Sequence, residues 1–145
     1  MILKDLIIIG GGPAGLCAAK TASEAGLNVL IIERSPRLGG QLIKQTHKFF
    51  GSEKTYAKTR GFDIAKILIS DVLKHPDQIE IMLDATVVGL YPDHELTVYQ
   101  YGNYSKYKAK AIIVATGASE KFLAFVNNDL PGIYGAGAVQ TLMNL

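Results

Sequence analysis

Six residues, Gly10-Gly11-Gly12-Pro13-Ala14-Gly15, follow directly on the apolar run Asp5-Leu6-Ile7-Ile8-Ile9 and open an alanine-rich stretch, an order that leaves few folds available. An almost wholly apolar, β-branched run ended by glycine reads as a central strand of a parallel sheet, covered on both faces. The stretch from Pro13 to Ala25 has the composition of a helix packed tightly on a sheet, with Gly26 as its stop. Asn28 to Glu33 reads as a second buried strand, completing a right-handed βαβ unit of about 30 residues.

The glycines form a G-x-G-x-x-G in the context where that pattern carries chemistry. Gly10 permits the tight turn, Gly12 lets backbone come within contact distance of a diphosphate, and Gly15 lets helix and strand pack closely. Amides at the helix N-terminus point at the phosphates, and the helix dipole favours their charge. Pro13 costs nothing in the first turn, where its missing N–H has no intrahelical partner. Glu33 ends the second strand eighteen residues beyond Gly15, placed to accept hydrogen bonds from an adenosine ribose. A carboxylate there disfavours a 2′-phosphate, and with it NADP. The pattern points to a dinucleotide site; the bland alternative is a structural glycine turn with Glu33 a solvated strand end.

Further along, Arg34 to Arg60 is polar and irregular, with room for a short helix over Gln41 to Lys48. Ile64, Ile67, Leu68 and Val72 recur at helical spacing between Phe62 and Lys74, and Ile79 to Leu83 reads as a third strand. Thr86 to Tyr91, Leu96 to Tyr101 and Tyr104 to Lys108 are β-rich runs joined by turn residues, predicting an antiparallel three-stranded meander laid over the parallel sheet. Ala111 to Ala115 reads as a further buried strand ending at Thr116-Gly117, and Ala136 to Asn144 as a closing helix. The expected fold class is α/β, a Rossmann-like parallel sheet with flanking helices and the meander.

Length and composition narrow the partners. A chain of 145 residues is one ordinary domain, and 48% hydrophobic against 19% charged residues excludes intrinsic disorder. A formal charge of +2 gives no ground for a nucleic-acid or acidic-membrane partner. The single cysteine, Cys17, excludes a disulfide framework and a multi-thiolate metal site, and fits a reduced cytoplasmic compartment. The longest uncharged run, Leu6 to Ala19, is shorter than the ~20 residues a bilayer needs and is broken by glycine and proline, so no membrane association and no metal are expected.

Which dinucleotide is bound turns on two more segments, Arg37-Leu38-Gly39-Gly40-Gln41 and Ala115-Thr116-Gly117. With these the sequence resembles the flavoprotein superfamily with two dinucleotide-binding domains, the pyridine nucleotide–disulfide oxidoreductase and thioredoxin reductase group. The segments Gln41 to Gly51 and Leu130 to Gly137 look closest to the branch containing the large flavin subunits of sarcosine oxidase, hydrogen cyanide synthase and opine or proline dehydrogenase. The resemblance covers essentially the whole chain and implies FAD as cofactor. It places Gly10, Gly12, Pro13, Ala14 and Gly15 at the diphosphate and Glu33 and Arg34 at the adenosine end. It puts Gly40 and Gln41 along the ribityl-flavin side and Val87 against adenine, with Ala115, Thr116 and Gly117 closing over the cofactor.

Two departures from the family pattern qualify that expectation. Residues 1–145 correspond to the N-terminal portion of an FAD-binding domain, and the second, NAD(P)H-binding domain that relatives carry is absent from them. No Cys-x-x-Cys exists, so disulfide reduction cannot be completed within these residues. The resemblance therefore implies the FAD-binding portion of an oxidoreductase. It moves electrons between NAD(P)H or an amine-type substrate and an acceptor, and a second domain or subunit of a homo- or hetero-oligomer completes its site. An NAD-binding module without flavin and a non-catalytic cofactor-binding subunit remain the alternatives.

The remaining reactive side chains read as structural. Cys17 is expected to be a small buried hydrophobe in the first helix. A structural or solvated role for His47 outweighs proton transfer at a flavin, and His75 and His94 are expected at the surface. Lys44, Lys48, Lys54, Lys58 and Arg60 are read as a basic segment facing an anionic cofactor or as a solvated face, in preference to a nucleic-acid surface. No residue has the profile of an indispensable acid, base or nucleophile, so no catalytic residue is assigned.

Overall fold

The computed structural model describes residues 2–145. Its scaffold is one six-stranded sheet. In chain order the strands are β1 (Ile2–Ile9), β2 (Val29–Ile32), β3 (Ile79–Met82), β4 (Ala85–Tyr91), β5 (Glu95–Gln100) and β6 (Asn103–Val114). They lie in the order β3-β2-β1-β6-β5-β4, parallel from β3 to β6 and antiparallel from β6 to β4. Three helices accompany them: α1 (Pro13–Glu24), α2 (Gly61–Leu73) and α3 (Ala136–Asn144).

Strand alternation sorts the core into two layers. Leu6 and Ile8 of β1 and Val29 and Ile31 of β2 face α1 and α2, where Leu16, Ala19, Ile64, Leu68 and Val72 meet them. Ile7, Leu30 and Ile32 point the other way, against Ala85, Leu96, Val98 and Tyr107 of the meander. β1 and β2 are thus covered on both faces, which is why they read as unbroken apolar runs. The small buried positions Gly15, Ala19 and Ala22 bring α1 close to the sheet. Its end is a Schellman motif: Gly26 (φ +80°) donates to Ser23 at 2.9 Å and Leu27 donates to Ala22 at 3.1 Å.

The structure corrects the sequence reading at four points. The run Tyr104 to Lys108 and the strand expected over Ala111 to Ala115 are a single twelve-residue strand, β6. Its outer half pairs antiparallel with β5 and its inner half parallel with β1, so the meander is continuous with the sheet while its apolar side folds over one face. The inner half is not buried: Ile113 is 38% and Val114 62% exposed, because no helix of the described residues covers them. The helix expected over Gln41 to Lys48 is a short 3-10 turn, Gly40–Lys44. Cys17 is exposed, because Leu16, Ala19, Ala22 and Ser23 define the buried stripe of α1 and position 17 lies off it.

α1 and α2 are tied at the surface by Asp71, which pairs with Lys20 at 2.8 Å and Lys74 at 2.6 Å. Hydrogen bonds from these two ammonium groups lower the Asp71 carboxyl from the usual 3.8 to about 2. A carboxylate depressed in the folded state stabilises above the unfolded value and loses that contribution as pH falls through the folded one. We therefore expect an acid-sensitive component of the melting temperature between about pH 4 and pH 2. Asp71→Asn should remove it, which a pH series of thermal melts of both proteins will check.

Candidate functional site

Three loops meet at the carboxyl end of the parallel strands. The turn after β1 is held from both neighbours, since Gly10 donates to Ile32 at 2.9 Å and Ala115 donates to Ile9 at 2.8 Å. Gly10 has φ +112°, and a Cβ there would collide with the Ala115 carbonyl, so the Ala115-Thr116-Gly117 strand end packs directly on the turn. A Cβ on Gly15 would strike the carbonyl oxygen of Gly10. These two glycines are demanded by protein contacts.

Gly12 differs. Its φ of −78° is open to any residue, and the nearest atom to a Cβ built on it is the Gly40 Cα at 3.9 Å. Nothing in the protein requires glycine there. The space a side chain would enter belongs to a cavity of about 1090 Å³, so the missing side chain keeps room for a ligand. Gly12 is also the N-cap of α1 and supplies no side-chain cap, which leaves the first-turn amides of Ala14 and Gly15 without an intrahelical acceptor. With no acidic side chain in that turn, the helix end is an uncommitted anion site.

Glu33 lies immediately after β2, buried beside the turn. Its Oε2 accepts the Gly11 amide at 2.6 Å and its Oε1 accepts the Ser35 amide at 2.8 Å. The main chain of Glu33 is pinned as well, donating to Met82 at 2.8 Å and accepting from Ala85 at 3.0 Å. The carboxylate is therefore fixed in direction, with lone pairs left over for further donors. Across the turn, Gly39 donates to Gly11 at 2.8 Å, and Gly40 (φ +54°) sits so close to Gly12 that a Cβ on it would lie 2.8 Å from the Gly12 Cα. The Gly-Gly pair thus packs backbone against backbone on the fingerprint turn, and Gly40 also lines the cavity.

Of the residues expected from sequence, Gly10, Gly12, Pro13, Ala14, Glu33, Arg34, Gly40, Gln41, Val87, Ala115, Thr116 and Gly117 all line this one cavity. Gly15 does not; it is buried under the turn, where its role is the close packing of α1 on β1. The structure adds Ser119, Thr141 and Leu145, which sequence reasoning missed, and brings Arg37 and Lys44 into the same lining. Arg37 and Lys44 were signalled by the basic composition of their segment. Thr141 and Leu145 carried no signal, because α3 reaches the cavity through a tertiary contact, Asn144 Nδ2 donating to the Lys44 carbonyl at 2.7 Å. His47 is exposed, does not line the cavity and stacks on Phe49 at 5.1 Å. Among the described residues no group of acids, histidines and cysteine is arranged to hold a metal ion, and no helix is long and apolar enough to cross a membrane.

A cavity of this size exceeds most small-molecule pockets and suits an extended ligand. Its lining combines a fixed carboxylate, Arg34 and Arg37, a bare helix N-terminus, and Gln41, Lys44 and the residues Thr116, Ser119 and Thr141. That set of groups suits a dinucleotide, with a carboxylate for a ribose and free helix amides for a diphosphate.

Comparisons with known proteins agree. The family model described as pyridine nucleotide-disulphide oxidoreductase matches residues 4–144. The alpha chain of sarcosine oxidase from Corynebacterium sp. (strain U-96) is 29% identical, the match covering 97% of this chain and 15% of that one. An opine oxidase polypeptide of Agrobacterium tumefaciens (strain Ach5), one of the subunits of that enzyme, is 28% identical over 94% of this chain and 28% of its own length. Among solved structures, L-proline dehydrogenase from P. horikoshii superposes with a TM-score of 0.84 at 27% identity, covering 99% of this chain and 28% of that one. The chain thus spans less than a third of each of these relatives.

Proposed function

The chain belongs to the pyridine nucleotide-disulphide oxidoreductase family and carries its FAD-binding part, and from that premise we propose how the cavity is used. The diphosphate of FAD lies on the N-terminus of α1 beside Gly12, the adenosine ribose on Glu33, and the flavin half toward Gln41, Lys44 and the Ala115–Gly117 strand end. Gly10, Pro13 and Ala14 complete the diphosphate cradle. Arg34 and Val87 flank the adenosine, and Gly40 follows the ribityl chain. Gly12 carries this reading: its missing side chain serves no protein contact and opens the helix end to the cavity.

Bound there, FAD supplies two-electron redox chemistry. The protein's own share is to fix the ribose through an immobile carboxylate, neutralise the diphosphate with backbone amides, and orient the flavin half. We place the chain in a cytoplasmic oxidoreductase assembly in which a further domain or subunit completes the site. Electrons there pass between NAD(P)H or an amine-type substrate and an acceptor. The relatives named as subunits of sarcosine and opine oxidases support an assembly of unlike chains.

The test is a titration of the purified chain with FAD and, separately, NADH. Flavin absorbance that stays with the protein is expected; a colourless protein that takes up NADH alone would overturn the flavin assignment. Glu33→Ala should weaken FAD by about 1.5–3 kcal/mol, the range for hydrogen bonds to a charged group. It should also lower the melting point of the cofactor-free protein, because the Gly11 and Ser35 amides lose their acceptor. Unchanged FAD affinity would remove the ribose role.

A further inference from the structure

α3 lines the cavity with Thr141 and Leu145, yet none of its residues is buried, and Leu142 and Met143 stand 71% and 80% exposed. A helix of nine residues is too short to persist by itself in water, and this one has little apolar burial to hold it. Two polar ties do that instead. At its start, Gly135 is an N-cap with no side chain to offer, and Glu120 supplies the missing acceptors. One carboxylate oxygen accepts the Ala136 amide and the other the Gly137 amide, each at 2.9 Å. The fit is close, since a Cβ on Gly135 would collide with that carboxylate. At its end, Asn144 Nδ2 donates to the Lys44 carbonyl at 2.7 Å and docks the helix. Glu120 and Asn144 do not line the cavity, but their chain neighbours Ser119 and Leu145 do.

We propose that Glu120 and Asn144 are positioning residues that hold α3 as a movable wall of the cavity, and that FAD leaves when this wall lifts; this rests on the FAD reading above. The physical ground is a difference in anchoring. The glycine turn, Glu33 and the Ala115 strand end stand on β1, β2 and β6, with Ile7, Ile8, Ile31 and Ile32 buried beneath them. They separate only if the sheet opens. α3 is joined to that body by an exposed stretch, 121–135, and by hydrogen bonds that water can replace, so it lifts at far lower cost. Glu120 keeps the helix formed and Asn144 keeps it docked, so loss of either tie frees the wall.

The experiment compares the full chain with Glu120→Ala, Glu120→Gln and Asn144→Ala. Hydrogen exchange of the α3 amides is read in cofactor-free protein, FAD release by stopped-flow dilution of the loaded protein, and the melting temperature beside both. Each alanine variant should speed α3 exchange and FAD release by about tenfold, the scale of one net hydrogen bond, with β1 exchange and the melting temperature unchanged. Glu120→Gln keeps one acceptor oxygen and should fall between Glu120→Ala and the parent. Asn128→Ala loses a hydrogen bond to the Leu123 carbonyl in the same stretch, but none to α3, and should match the parent. Exchange of α3 at the parent rate in either alanine variant would overturn the proposal. So would faster exchange with unchanged FAD release, which would make α3 a bystander to the cofactor. So would faster release that tracks a falling melting temperature, which would mean general destabilisation. A parent chain that takes up no FAD would instead strike the cofactor reading, while α3 exchange in the cofactor-free variants would still uphold or overturn the hold of the two ties.

Discussion

Gly12→Val should abolish FAD binding, by at least about a hundredfold or 2.7 kcal/mol, while the protein stays folded. The two halves of that expectation have separate causes. The backbone at Gly12 (φ −78°) is comfortable for valine, and the first protein atom a Cβ meets is 3.9 Å away. Replacing glycine by valine at a helix N-cap costs about 1 kcal/mol at most, so the melting temperature should fall by no more than about 4 °C. The branched methyl groups instead occupy the space through which a diphosphate must reach the helix amides. Titration beside a thermal melt reads both numbers from one preparation. A valine variant that still binds FAD would show that the diphosphate lies elsewhere.

Gly15→Ala reverses the pattern. Its added methyl is directed at the carbonyl oxygen of Gly10 and within 3.2 Å of Ile8, and a backbone oxygen cannot swing aside as a flexible side chain can. α1 must lift from β1 or the turn must open. A cost of about 3 kcal/mol is expected, the upper range for overpacking, with a melting temperature lower by roughly 10 °C. FAD binding should fall only as far as the folded fraction does. Two glycines three residues apart thus answer to different masters, one to the ligand and one to the fold, and an unaltered melt in Gly15→Ala would deny that division.

The sequence could reveal this much because the informative patterns are local. The apolar runs of β1 and β2, the glycine turn and the carboxylate at position 33 all depend on neighbours within one βαβ unit, where spacing and chemistry suffice. The continuity of β6 was hidden, since its two halves pair with different partners and their apolar faces serve different layers. The exposure of Cys17 was missed because alanine-rich composition does not by itself reveal which way a helix is turned; only the packed positions Leu16, Ala19 and Ala22 fix its phase. The part played by α3 left no trace at all. It depends on one hydrogen bond between residues a hundred positions apart, Asn144 and Lys44.

β1 and β6 are adjacent strands, yet roughly a hundred residues of chain lie between their paired positions. During synthesis the glycine turn and Glu33 leave the ribosome early, while Ala115, whose carbonyl backs the turn, follows about eighty residues after Glu33. Closing so long a loop carries an entropic cost, which the intervening contacts of β2, β3 and the meander reduce. A nascent chain arrested before Val114 therefore has an open edge on β1, and the glycine turn is backed only once β6 has docked.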